Sequence, residues 1–157
     1  MIKTVDKRIG AALAEEIYKT AKMGGESITD ILPKIKDGDR VGESEKMRSE
    51  LTRQFAQYEK IATDAEKYLS DLDVRAKGEN MMIKLSAKAG IAMNTMMDPT
   101  PSHIAEMMVE GLAMGITEMT AKVRQARERN CEEKILSLAD RLISFQESAV
   151  DEIKKFL

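Results

Sequence analysis

Tryptophan is missing from this chain, and three tyrosines with three phenylalanines are its whole aromatic stock. A core of ordinary size must therefore be filled by aliphatic side chains and methionine. The single cysteine, Cys131, rules out an internal disulfide. Three prolines and nine glycines are too few for a loop-rich fold and suit long helices with short connections. No stretch approaches the ~20 uncharged residues of a membrane span. The start, Met-Ile-Lys-Thr-Val-Asp-Lys-Arg, has no apolar run of signal-peptide length, so a cytoplasmic protein is expected. Neither charge sign is in excess, with 25 basic against 27 acidic residues, which gives no reason to expect nucleic acid or an anionic membrane as partner. Alternation with period two over a strand's length is absent too, so no sheet is expected.

What the chain does have is helical periodicity. Met47, Leu51, Gln54, Tyr58, Ile61, Ala65, Tyr68 and Leu72 step alternately four and three residues, the seam of a long amphipathic helix from about Glu43 to Leu72. An earlier seam, Ala14, Ile17, Ala21, Gly24, Ile28, Ile31 and Ile35, places a first helix over about Thr4 to Lys36. Gly24-Gly25 weakens its middle by about 1 kcal/mol per glycine relative to alanine, and Pro33 should kink its last turns. After a loop at Asp37–Gly42, the second helix and Asp73–Gly78, a short third helix uses Met82, Leu85, Ala89, Ala92 and Met96. Thr100 and Pro101 read as the cap and first turn of a fourth helix. Its seam runs from Ala105 through Val109, Leu112, Ile116, Met119 and Val123 to Ala126. A turn near Asn130 leads to a fifth helix burying Ile135, Leu138, Leu142, Phe145, Ala149 and Phe156. Short connections favour antiparallel neighbours. The expectation is an all-α single domain over residues 1–157: an antiparallel up-and-down four-helix bundle with one additional short helix.

Few residues in these seams carry chemistry. His103, Glu106 and Glu110 stand at i, i+3 and i+7, close enough on one helical face to share a divalent ion. With Thr117 they also fill the one polar arc of an otherwise apolar helix, the arc that should face water. Gln54 is the one amide in its seam and must find a partner such as Tyr58, Glu152 or a backbone group, or else contact a ligand. Glu152 falls at a seam position as well, unless Ile153 takes over the core phase and leaves the carboxylate outside. The flanks of Cys131 are polar, which predicts a helix-end thiol, partly exposed and unreactive. Lys122, Arg124, Arg127 and Arg129 suit the C-terminal end of the fourth helix, where the macrodipole favours cations. No phosphate loop or nucleophile motif is present.

Methionine is the compositional oddity, with nine of the twelve falling between Met81 and Met119. Thioethers are soft enough for Cu(I), and Met93, Met96, Met97, Met107 and Met108 would be the set. The same residues serve as adaptable core filler or as an apolar contact surface. The fourth helix is apolar or glycine over about three-quarters of its circumference, with Gly111 and Gly115 four apart. Such a helix is buried on more than one side. Met107, Met108, Gly111, Met114 and Gly115 are therefore candidate interface residues, for a second copy, another protein or an apolar ligand.

Two stretches carry a family resemblance. Asp30-Ile-Leu-Pro-Lys-Ile-Lys followed by Glu50-Leu-Thr-Arg-Gln-Phe-Ala-Gln-Tyr-Glu-Lys-Ile resembles the first two helices of ferritin-like bundle proteins. Ser102-His-Ile-Ala-Glu-Met-Met and Met114-Gly-Ile resemble a bacterial, Firmicute-type branch of such bundles. The resemblance implies the bundle scaffold over most of the chain. Ferritin-like di-metal proteins place Glu on two core helices and Glu-x-x-His on the other two. Here one histidine stands where two are needed, it precedes its glutamate, and the second seam offers Gln54 and Tyr58 where ligands would sit. The expected function is therefore a non-enzymatic binding or structural module, acting through apolar helix surfaces and as a homodimer, without a cofactor. The alternative is an iron or manganese protein with an incomplete ligand set drawn from Glu26, Gln54, Tyr58, His103 and Glu106.

Overall fold

The structure is a computed structural model that describes residues 5–73 and 98–157. Among them are four long helices and no strand: α1 (Lys7–Ile31), α2 (Glu43–Asp71), α3 (Pro101–Glu128) and α4 (Glu133–Lys154). They correspond to the expected first, second, fourth and fifth helices. The expected short helix through Met82 and Met96 lies outside the described residues.

Helix ends follow local chemistry. Asp6 caps α1, its carboxylate accepting from the Arg8 N–H at 2.9 Å. The helix stops at Ile31, several residues short of the expected Lys36, because Pro33 has no N–H to donate and tightens the chain into a 3₁₀ turn over Leu32–Lys34. The glycine pair does not interrupt α1: at Gly24 the missing side chain makes room for the Tyr58 ring, whereas a Cβ at Gly25 would make ordinary contacts with Phe55 and Glu59. Gly42, at φ 83°, is the residue before α2 and has no side chain with which to cap it. Asp37 takes over from upstream, accepting from both the backbone N–H and the hydroxyl of Ser44. Those bonds hold its carboxyl below the usual carboxylate range. Pro101 opens α3 as expected, but the Thr100 side chain makes no capping bond.

The seams bury as periodicity predicts. Ala14, Ile17, Ala21 and Ile28 of α1 meet Leu51, Ile61, Ala65 and Leu69 of α2, with Ile104 and Met119 of α3 and Leu142 and Ile153 of α4 in the same core. Ile153 takes the core position at the end of α4, and Glu152 turns outward to Lys155 at 3.0 Å. Cys131, expected to be partly exposed, is buried at the α3–α4 turn, and its burial raises the thiol pKa.

Side-chain contacts give the helix directions. Gly10 lies beside Tyr68 and Gly24 beside Tyr58, so α1 and α2 are antiparallel. Arg127–Asp140 and Gly115–Gln146 make α3 and α4 antiparallel. Tyr68–Glu132 and Asp64–Arg141 set α2 against α4 in the same sense, and Glu16–Lys122 sets α1 against α3. It follows that α2 and α3 point the same way, which departs from a simple up-and-down order. The end of α2 meets the start of α4, whereas the start of α3 meets the loop before α2, where the Lys36 N–H donates to the Pro99 carbonyl at 3.0 Å.

Candidate functional site

Between α1 and α3 the core is incomplete. A cavity of about 280 Å³ opens there, walled on one side by Met23, Gly24, Ser27 and Ile28 of α1. Met107, Met108, Gly111 and Gly115 form the opposite wall, on α3. Two polar side chains from the other helices close it, Tyr58 of α2 and Gln146 of α4. Among the described residues no charged side chain lines it.

The opening results from side-chain size. Along α3, Gly111 and Gly115 stand on the face turned toward α1, and a Cβ at Gly111 would meet nothing within 4 Å. The gap is therefore not a close approach of backbones. On α1, by contrast, a Cβ at Gly24 would overlap the Tyr58 ring. That ring fills the space above Gly24 and stands edge-on to Phe145, with centroids 4.8 Å apart. On the α1 wall the Ser27 hydroxyl is turned back onto its own helix, donating to the Met23 carbonyl. Outside the lining, Thr29, Thr117 and Thr120 donate in the same way to the carbonyls of Gly25, Ala113 and Ile116.

Gln146 is only 3% exposed, yet its hydrogen bonding is half complete. Its Nε2 donates to the Tyr58 hydroxyl at a long 3.5 Å, and its Oε1 has no partner among the described residues. An unsatisfied buried amide oxygen costs about 1–3 kcal/mol. Burial raises the pKa of Tyr58 above its ordinary value, although the Gln146 bond opposes this, so the phenol stays protonated and can donate. Gln54, one turn earlier on α2, is fully buried and does not line the cavity. Its Nε2 donates to Glu50 Oε1 at 3.0 Å, not to Tyr58 or Glu152 as expected, and its Oε1 also lacks a partner among the described residues. Glu50 can serve because it lies one turn back on the same helix, at i to the i+4 of Gln54. Burial alone would raise the Glu50 pKa, but hydrogen bonds from Arg53 and Gln54 outweigh it and lower the value.

The other candidates lie apart from this cavity. His103 is exposed and sits 3.6 Å from Asp98, while Glu106 and Glu110 face solvent. Glu26 is half-buried on α1. Among the described residues no three His, Cys, Asp or Glu side chains are close enough together to hold a metal ion. Of the methionine set, Met107 and Met108 line the cavity, and Met93, Met96 and Met97 lie outside the described residues. Met114 points away from the cavity mouth's lining and is 65% exposed. A larger cleft of about 650 Å³ near the start of α2 is lined by Lys46 and by three matched pairs: Arg40 with Glu43, Arg53 with Glu50 and Lys155 with Glu152. Lys122, from the basic end of α3, is likewise matched, by Glu16 at 2.6 Å.

The candidate contact Tyr58 and the candidate interface residues Met107, Met108, Gly111 and Gly115 thus come together at one cavity. Gln146 was not among them. Its signal was present: it lies four residues after Leu142 and three before Ala149, at seam spacing. The aromatic neighbour Phe145 took that seam position on hydrophobicity alone. No protein-family model matches the chain, and no curated protein or solved structure matches it significantly. Among the described residues no helix is long and apolar enough to cross a membrane.

Proposed function

We propose that this protein is a non-enzymatic binding module built on a ferritin-like four-helix scaffold, which holds a small apolar ligand between α1 and α3. The observation that carries the reading is the cavity itself, apolar-walled and closed by Tyr58 and a buried Gln146 whose carbonyl has no partner among the described residues. Ligand sites are commonly clefts between bundle helices with mostly apolar walls and a few convergent polar groups. The like direction of α2 and α3 favours the ferritin-like scaffold, in which one long crossover joins the two halves. A lone, buried, free thiol fits a reducing compartment, which supports placing the protein in the cytoplasm.

Toluene tests the cavity. It should raise the melting temperature saturably in the wild type and fail to do so in Gly111→Phe, whose ring has open space to occupy. No shift in the wild type up to the solubility limit of toluene would refute the reading. A second reading, homodimerisation through the outer face of α3, is favoured by the exposure of Met114 beside Gly111 and Gly115. Sedimentation showing only monomer at micromolar concentration would remove it. The iron or manganese alternative has no assembled ligand cluster among the described residues to support it.

A further inference from the structure

We propose that the apolar groove between α1 and α3 is a docking surface for the chain's own residues 82–96, laid lengthwise on it and antiparallel to α3. This docking needs no ligand and goes beyond the cavity reading, since it concerns the outer side of the same groove. The described residues run to Asp73, just past the end of α2, and resume at Asp98, just before α3. Because α2 and α3 point the same way, these two positions stand at opposite ends of the bundle. The 24 residues 74–97 must therefore travel the length of α3, a helix of 28 residues and so about 42 Å.

Their point of arrival is fixed. The Lys36 N–H, just beyond α1, donates to the Pro99 carbonyl at 3.0 Å, and a Cβ at Gly38 would lie 3.4 Å from the Thr100 side chain. The chain thus re-enters at the foot of the α1–α3 groove. An ion pair crosses this groove at its far end, Glu16 with Lys122. Between that pair and the foot, the α3 wall is Met107, Met108, Gly111 and Gly115, with Gly111 exposed. The α2–α4 groove, by contrast, is rimmed by Asp64, Lys67, Lys134 and Arg141 and does not suit an apolar stripe.

The sequence supplies such a stripe. Met82, Leu85, Ala89, Ala92 and Met96 recur in steps of three and four, the spacing with which one face of a helix seats in a groove. A helix over 82–96 rises about 22 Å. Residues 74–81, fully extended, add about 26 Å. Together they cover the distance with little slack for a path that leaves the bundle. Antiparallel pairing about residues 98–99 sets Ala89 opposite Met108, Leu85 opposite Gly111 and Leu112, and Met82 opposite Gly115. Leu85 then meets the position where, among the described residues, a Cβ would find nothing within 4 Å.

Thiol labelling of the full chain tests the docking, in a Cys131→Ser background with each variant shown by its melting curve to be folded. Gly111→Cys should react with a maleimide about tenfold more slowly than Ser148→Cys, which is exposed on α4. Adding Leu85→Asp and Ala89→Asp should restore fast labelling. Under mild oxidation, Leu85→Cys combined with Gly111→Cys should give a disulfide within one chain, and Leu85→Cys combined with Ser148→Cys should give none. Fast labelling of Gly111→Cys, without that disulfide, would overturn the docking, and a toluene-induced rise in melting temperature would leave the cavity reading standing. Protection that appears only as protein concentration rises, with disulfides between chains, would assign the groove to a second copy and overturn it as well. Protection and the intrachain disulfide without any response to toluene would uphold the docking and remove the cavity reading.

Discussion

The α1–α2 seam and the α1–α3 groove both contain glycines, and the two sets are used in opposite ways. Against α2, Gly10 and Gly24 are occupied in effect by their neighbours: the Tyr68 hydroxyl and the Tyr58 ring sit where a Cβ would be. Against α1, Gly111 leaves space where, among the described residues, a Cβ would meet nothing within 4 Å. In the first case an absent side chain brings two helices together around an aromatic ring. In the second it leaves a hollow. The residue type does not separate packing from binding; what occupies the missing volume does.

The largest effect should come from refilling the seam. Gly24→Leu forces atoms into the Tyr58 ring, which Phe145 and Gln146 confine, and overpacking of this kind costs about 3 kcal/mol. Urea denaturation would measure it, and an unchanged midpoint would mean that the ring swings aside freely. Next is the polar pair that closes the groove. Replacing both Tyr58 and Gln146 together, by Phe and Leu, removes an unsatisfied amide with its weak partner and should stabilise the fold by about 1–2 kcal/mol. A loss instead would show that the amide is satisfied in solution. The smallest change is Gly111→Ala. With no neighbour to strike, it gains helix propensity alone, about 1 kcal/mol. A destabilised Gly111→Ala would erase the contrast between the two regions.

Much of this architecture was legible in the sequence. The alternating steps of four and three picked out the buried faces of α1 and α2 nearly residue for residue, because burial of a helix stripe depends on spacing and little else. Direction was not legible. Periodicity is blind to which way a helix points, so α2 and α3 could not be read as like-oriented. At the candidate site the apolar excess of α3 was visible as an unexplained face, and Tyr58 only as a partner offered to Gln54. Gln146 escaped because a phenylalanine beside it offered a more hydrophobic answer. Cys131 was misplaced because polar flanks describe the turn it sits in and not the core beneath that turn.

The hydroxyls of Ser27, Thr29, Thr117 and Thr120 lean on carbonyls one turn back, and they belong to the two helices that border the hollow. Such back-bonding loosens the local ladder and encourages curvature. Together with the glycines, it lowers the cost of bending these turns. On the proposed reading, a guest would be admitted by bending of α1 and α3, with the side keyed to α2 held still.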